Sequence, residues 1–133
     1  MPQQHDAQRI GMLGERHVKK YLQRKGWRIV AKNIRFGNDE LDILSLTPDE
    51  QTLMIIEVRS TAQRNKLPER TVGSSKRAAL LRMAKLLRGR AKQYGCCVRV
   101  DLITVCFLEK KPKIKHFKSI LAIQKSRTFS LII

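Results

Sequence analysis

Two apolar runs, Glu40 to Leu46 and Thr52 to Arg59, flank the segment Thr47-Pro48-Asp49-Glu50-Gln51, and each carries a carboxylate inside it. Short runs rich in Ile, Leu and Val that are broken by Pro and polar residues read as strands joined by a turn. A hairpin symmetric about the Asp49-Glu50 bond pairs residues whose positions add to 99, so Asp42 faces Glu57 and Glu40 faces Arg59. Strand alternation then sets these four side chains on one side of the sheet, with Leu41, Ile43, Ile56 and Val58 on the other. Directly opposed Cβ atoms stand roughly 5 Å apart.

Two carboxylates at that separation repel, and Glu57 follows the apolar run Leu53-Met54-Ile55-Ile56, where an unpaired charge is costly to bury. A positive charge must therefore sit between or beside them. Two arrangements satisfy the requirement. One is a hard divalent cation, Mg²⁺ or Mn²⁺, held by Asp42 and Glu57 with positions left open for water and phosphate oxygens. The other is a metal-free lattice in which Arg59 serves both Glu40 and Glu57.

The rest of the chain supplies a frame for this hairpin. Ile10, His17 and Tyr21 recur at helical spacing between Asp6 and Lys25, and Gly26 follows where a C-terminal cap belongs. Trp27 to Ile34 reads as a strand before the hairpin. Ser60 to Ser75, with Pro68 and Gly73 and no apolar period, reads as a long loop of the kind that is often functional. Lys76 to Lys92 reads as a helix with Leu80, Met83, Ala84, Leu87 and Ala91 on one face and Arg77, Lys85, Arg88 and Lys92 on another. Val98 to Phe107 alternates as a fourth strand, and Lys113 to Phe117 fits a short edge strand. Helix, three strands, helix, strand is an α/β or α+β order around one mixed sheet, and 133 residues suit a single domain, 1–133.

Charge narrows the class of partner. The chain holds 28 Lys and Arg against 11 Asp and Glu, a formal charge of +17. Only Asp101 and Glu109 are acidic beyond Lys76. That surplus repels itself unless a polyanion relieves it, and nucleic acid is the commonest such partner. No apolar run approaches the length of a membrane span, so a membrane partner is not expected. The N-terminus lacks the charged start and apolar core of a secretion signal, which predicts a cytoplasmic protein. Cys96, Cys97 and Cys106 form no C-x-x-C pair, and His5, His17 and His116 match no zinc spacing, so thiols and imidazoles read as packing rather than chemistry. Lys76, Arg77, Lys85, Arg88 and Lys92 would meet a phosphate backbone about once per helical turn. Lys110, Lys111, Lys113, Lys115 and Lys118 form a second dense run. Aromatic side chains are too few for a base-stacking platform, which favours duplex or branched DNA, with structured RNA second.

Gly14-Glu15, Tyr21-Leu22, Gly26, Asn33-x-Arg35, Glu40-Leu41-Asp42-Ile43-Leu44, Ile56-Glu57-Val58-Arg59, Lys76 and Arg99-Val100-Asp101-Leu102-Ile103 occur in order and at near-family spacing. In these pieces the chain resembles the YraN-like family of uncharacterised proteins, whose fold is similar to the PD-(D/E)xK superfamily of restriction endonucleases and junction resolvases. The resemblance implies an α/β fold, a restriction-endonuclease-like mixed β-sheet core flanked by helices. It implies that Asp42 and Glu57 are metal-binding carboxylates, that Glu15 is an outer carboxylate, and that Arg59 occupies the usual lysine position. Arg cannot deprotonate, so Arg59 would orient water or stabilise charge rather than act as a base. Asp39 stands where the family usually carries Gly; the extra acid either disturbs the turn or joins the metal pocket. The superfamily also implies a homodimer acting on two strands.

The function expected from these readings is that of a nucleic-acid-binding protein acting as a Mg²⁺- or Mn²⁺-dependent endonuclease, with Glu15, Asp42, Glu57 and Arg59 as its catalytic set. The alternative is a catalytically silent DNA- or RNA-binding module with the same fold.

Overall fold

The computed structural model describes residues 4–121, with side chains from Asp6 onward. Its first element, α1 (Gln4–Arg24), ends as the sequence predicts: Gly26 takes φ +83°, and the Gly26 and Trp27 N–H groups donate to the Gln23 and Leu22 carbonyls, each at 3.0 Å. These are the paired bonds of a glycine-capped helix terminus. The chain reverses there into β1 (Arg28–Phe36), β2 (Asp39–Leu46) and β3 (Thr52–Thr61). A short 3₁₀ turn, Pro68–Thr71, interrupts the loop that leads to α2 (Ser74–Gln93). Strands β4 (Cys97–Cys106) and β5 (Lys113–Phe117) complete the described chain.

The five strands form one sheet in the order β1-β2-β3-β4-β5. All neighbours are antiparallel except β3 and β4, which run parallel. Parallel neighbours need a crossover, and α2 supplies it. The mixed α/β sheet with flanking helices has the layout expected of a restriction-endonuclease-like core.

Each helix seals one face. Val18 and Leu22 of α1 pack with Trp27, Ile43, Met54, Ile56, Ile103 and Val105. On the other face Leu80, Met83, Ala84 and Leu87 of α2 pack with Leu41, Leu44, Ile55, Val100 and Leu102. The apolar stripe read from the α2 sequence is thus the one that is buried. His17 sets its ring edge-on to Phe107, with centroids 5.6 Å apart, in keeping with a packing role.

Alternation fails in β2. Leu41 and Leu44, three residues apart, lie in the α2-side core while Ile43 lies in the α1-side core, so Leu41 and Ile43 do not share a face as expected. The β2–β3 ladder has the expected register from Leu46↔Leu53 to Ile43↔Ile56 and then stops. Next in line, Asp42 Oδ2 accepts the Val58 N–H at 2.8 Å, a side-chain bond in place of a ladder bond. Glu40 consequently does not face Arg59. It pairs with Arg35 across β1, Oε1 to guanidinium 2.9 Å, matching the Arg35↔Glu40 register. Gln124 to Ile133 lie outside the described residues.

Candidate functional site

Where β2 leaves β3, the gap is lined from four elements. Asp42 comes from β2, Glu57 and Arg59 from β3, Lys76 from the first turn of α2, and Glu15 from the middle of α1. Gly14 lets α1 come close enough: a Cβ there would overlap the Ser60 side chain, with Ser60 Cβ only 2.9 Å away. This contact fixes the level at which Glu15 reaches the strands.

Glu57 is almost fully buried, its residue 3% exposed. Arg59 reaches its Oε2 at 3.0 Å, and Lys76 Nζ stands 3.4 Å from Oε1 while donating to the Glu40 carbonyl at 3.2 Å. Oε1 nevertheless accepts no hydrogen bond; Lys76 is within ion-pairing range but not aligned. Burial pushes the Glu57 carboxyl up, and the neighbouring Asp42 carboxylate pushes it further, to about 8, despite the opposing charges of Lys76 and Arg59. Burial likewise raises Glu15, reinforced by Asp42 and Glu40 and opposed by Lys32. Glu15 Oε1 and Arg59 Nε are also buried without hydrogen-bond partners.

The unsatisfied Glu15 and Glu57 oxygens are expensive unless a cation or donor completes them. Among the described residues no three His, Cys, Asp or Glu side chains converge as a full metal cage. Mg²⁺ and Mn²⁺ need no such cage, since they commonly bind through one or two carboxylates and leave the remaining positions to water and phosphate oxygens. Asp42 and Glu57 are the pair able to do this, with Glu15 behind them.

The structure brings together Glu15, Asp42, Glu57 and Arg59, and adds Lys76, which sequence reasoning assigned to the nucleic-acid-binding helix face. Its place at the helix start gave no sign that its amine folds back onto β3. Of the other stripe residues, Arg77, Lys85 and Lys92 are exposed and Arg88 is half-buried. Asp39 neither disrupts its turn nor joins the carboxylates; it forms a bidentate pair with Arg82 of α2, both bonds 2.9 Å. That pair holds its carboxyl below the usual range and ties the β1–β2 turn to the helix.

A second polar cluster was not visible in the sequence. Asp101, fully buried on β4, accepts two 2.9 Å bonds from Arg99, a 2.7 Å contact with His116 Nε2 and the Ser119 N–H at 2.9 Å. His116 Nδ1 in turn meets Tyr21 Oη at 2.9 Å. Burial alone would raise the Asp101 carboxyl, but the bonds from His116, Arg99 and Ser119 outweigh it and hold it low. Every partner is accounted for, and the cluster locks β5 and α1 onto β4.

Comparison with known proteins agrees with the sequence reading. The profile of the uncharacterised protein family UPF0102 matches residues 14–105. The UPF0102 protein of Lawsonia intracellularis is 32% identical over 114 residues, covering 84% of this chain and 83% of that one. The relative from Alkaliphilus oremlandii is 31% identical over 113 residues, covering 84% and 96%, and that from Chlorobaculum tepidum is 32% identical over 117 residues, covering 83% and 89%. Among solved structures, that of Pyrococcus furiosus SfsA in complex with Ca²⁺ aligns with a TM-score of 0.38 at 16% identity, over 89% of this chain and 66% of that chain. Among the described residues no helix is long and apolar enough to cross a membrane.

Proposed function

The chain belongs to the uncharacterised protein family UPF0102, and from that membership and the site geometry we propose that it is a nucleic-acid-binding protein that hydrolyses phosphodiester bonds in DNA with Mg²⁺ or Mn²⁺. The observation that carries this reading is Glu57: a buried carboxylate with an unsatisfied Oε1, set against Asp42 and flanked by two cations. Asp42 and Glu57 would hold the ion, and Glu15 would support it. The ion, when bound, supplies positive charge to the phosphate and acidifies a water.

The chain's own cations divide the remaining work. Arg59, 3.0 Å from Glu57, is placed to stabilise negative charge developing on the phosphate oxygens. Lys76, whose amine stands 3.4 Å from Glu57 Oε1, takes the water-orienting role beside the ion. The exposed bases Arg77, Lys85 and Lys92, with Arg88 beside them, hold the duplex through its backbone.

A silent binding module is the second reading, favoured by one observation: Arg59 and Lys76 both stand within ion-pairing distance of Glu57, so two cations already occupy its surroundings. Titrating Mn²⁺ calorimetrically into wild type and Glu57→Gln separates the two. Saturable binding lost in the variant supports the nuclease; equal or absent binding in both, with and without DNA, supports the silent module. Asp42→Asn with Glu57→Gln is then expected to lose cleavage and retain salt-sensitive DNA binding.

A further inference from the structure

A concavity of about 240 Å³ lies between the loop around the 3₁₀ turn and the β4–β5 turn. Arg64, Lys66, Lys111, Lys113 and Lys115 line it against two carboxylates, Glu69 and Glu109, an excess of three positive charges. It is smaller than the roughly 300–1,000 Å³ of pockets for drug-sized ligands. Its floor includes Thr104.

The position relative to Arg59 is set by register. Arg59 pairs with Thr104 across the parallel β3–β4 ladder, and Thr104 pairs with Lys115 across β4–β5. Residues in register on neighbouring strands project to the same face, so these three side chains form a row across the sheet on the α2 side. Strands are spaced about 4.8 Å apart, which puts the Lys115 backbone about 10 Å from that of Arg59. A nucleic-acid strand covers that distance in about three nucleotides at about 3.4 Å each. Glu57, two residues before Arg59 on β3, projects to the same face in the next row, beside the Arg59 end.

Glu69 gives the pocket a second chemistry. Its Oε2 lies 4.0 Å from Lys115 Nζ, while its Oε1 is buried with no hydrogen-bond partner. A carboxylate oxygen offers an acceptor, so a ligand that meets Glu69 from the pocket is best matched by an N–H or O–H donor. The lysines call for an anion. A nucleotide offers both, phosphate to the lysines and a base amine or imide N–H, or a sugar hydroxyl, to Glu69.

We propose that this pocket is a nucleotide subsite, receiving one nucleotide of the bound strand about three positions from the phosphodiester that faces Glu57. The inference rests on the proposed nucleic-acid function but not on catalysis. It predicts that the chain grips its substrate on both sides of the carboxylate cluster, with the loop bearing Pro68–Thr71 reading an individual nucleotide.

The test uses the full chain in EDTA, with the 5′-phosphorylated dinucleotide pTpT and inorganic pyrophosphate as probes, followed by amide NMR shifts. Saturable shifts with pTpT at Glu69, Thr104, Lys113 and Lys115 are expected. Lys113→Ala with Lys115→Ala, both at exposed strand positions, should weaken pTpT binding on the order of tenfold and lower the salt slope by about one per lysine engaged. Glu69→Ala should weaken pTpT while strengthening pyrophosphate, because it removes a donor's partner and a repelling charge together. Non-saturating shifts, or pTpT binding unchanged in the double variant, would overturn the subsite; so would Glu69→Ala tightening both probes alike. Lys20→Ala, at an exposed position of α1 outside the pocket lining, serves as control and should bind pTpT as wild type does. Absence of hydrolysis by the wild-type chain with Mg²⁺ or Mn²⁺, alongside saturable pTpT shifts, counts against the nuclease and not against this pocket.

Discussion

Lys76 Nζ lies 3.4 Å from Glu57 Oε1, although Glu57 belongs to β3 and Lys76 to the first turn of α2, across the whole intervening loop. The amine also donates to the Glu40 carbonyl at 3.2 Å, so one side chain bridges the start of β2 and the buried carboxylate of β3 just where their ladder has stopped. This makes the start of α2 part of the site rather than part of a solvated basic face.

Lys76→Met should therefore act on Glu57 directly. Removing a cation that favours the ionised form raises the Glu57 pKa beyond its value of about 8. A ¹³C titration of the Glu57 carboxyl reads the shift, and an unchanged midpoint would show that Lys76 does not interact with it in solution. Under the hydrolytic reading the same variant loses cleavage on the order of a hundredfold or more while DNA affinity changes little.

The metal-free protein should lose stability as pH rises. Glu57 titrates near 4.5 when unfolded and near 8 when folded, so the folded state binds the extra proton between those values. Stability then falls with increasing pH across that window, by a few kcal/mol in order of magnitude. Urea unfolding between pH 4.5 and 8 measures it. Glu57→Gln, which carries no titrating group, should flatten the profile, and Mn²⁺ should oppose the fall in wild type only. A profile identical in wild type and variant would contradict the raised Glu57 pKa.

The packing of α1 on β3 can be tested at Gly14. Alanine is normally favoured over glycine inside a helix by up to about 1 kcal/mol. Here the added methyl would overlap Ser60, and overpacking of this kind costs about 1–3 kcal/mol. Gly14→Ala should be net destabilising, and Ser60→Gly should recover part of the loss by giving the methyl room. Chemical denaturation of the two single variants and the double variant reads the coupling; strict additivity would mean that the helix shifts instead.

Hairpin register was legible in the sequence because the turn around Asp49 and Glu50 fixes it, and from Leu46 to Ile43 the pairing runs as that symmetry requires. What followed was not legible. Apolar pattern assumes an unbroken pleat, whereas Asp42 diverts its carboxylate to the Val58 N–H and shifts Leu41 to the face of Leu44. The α2 stripe was readable since helical periodicity survives without knowledge of partners. Lys76 was not, because a basic residue at a helix start looks the same in sequence whether it faces water or a buried acid. His116 illustrates the same limit: a lone histidine by spacing, it gains meaning only when β5 lies beside β4 and brings it to Asp101.

That last cluster yields a prediction independent of function. Asp101→Ala removes the acceptor shared by Arg99, His116 and the Ser119 N–H, leaving a guanidinium and a nearly buried imidazole without their partner. Breaking a buried ion pair from one side typically costs about 3–5 kcal/mol, so thermal unfolding should shift strongly downward. The wild-type contribution also has a sign in acid. Because the folded Asp101 pKa lies below its ordinary 3.8, the stability it confers is present above that value and is lost as pH falls through the lower folded pKa. Asp101→Asn keeps the shape and one acceptor oxygen but not the charge, and should show a smaller loss at neutral pH. A loss in Asp101→Asn equal to that in Asp101→Ala would assign the stabilisation to the charge of the Asp101 carboxylate rather than to the filled geometry that holds β5 against α1.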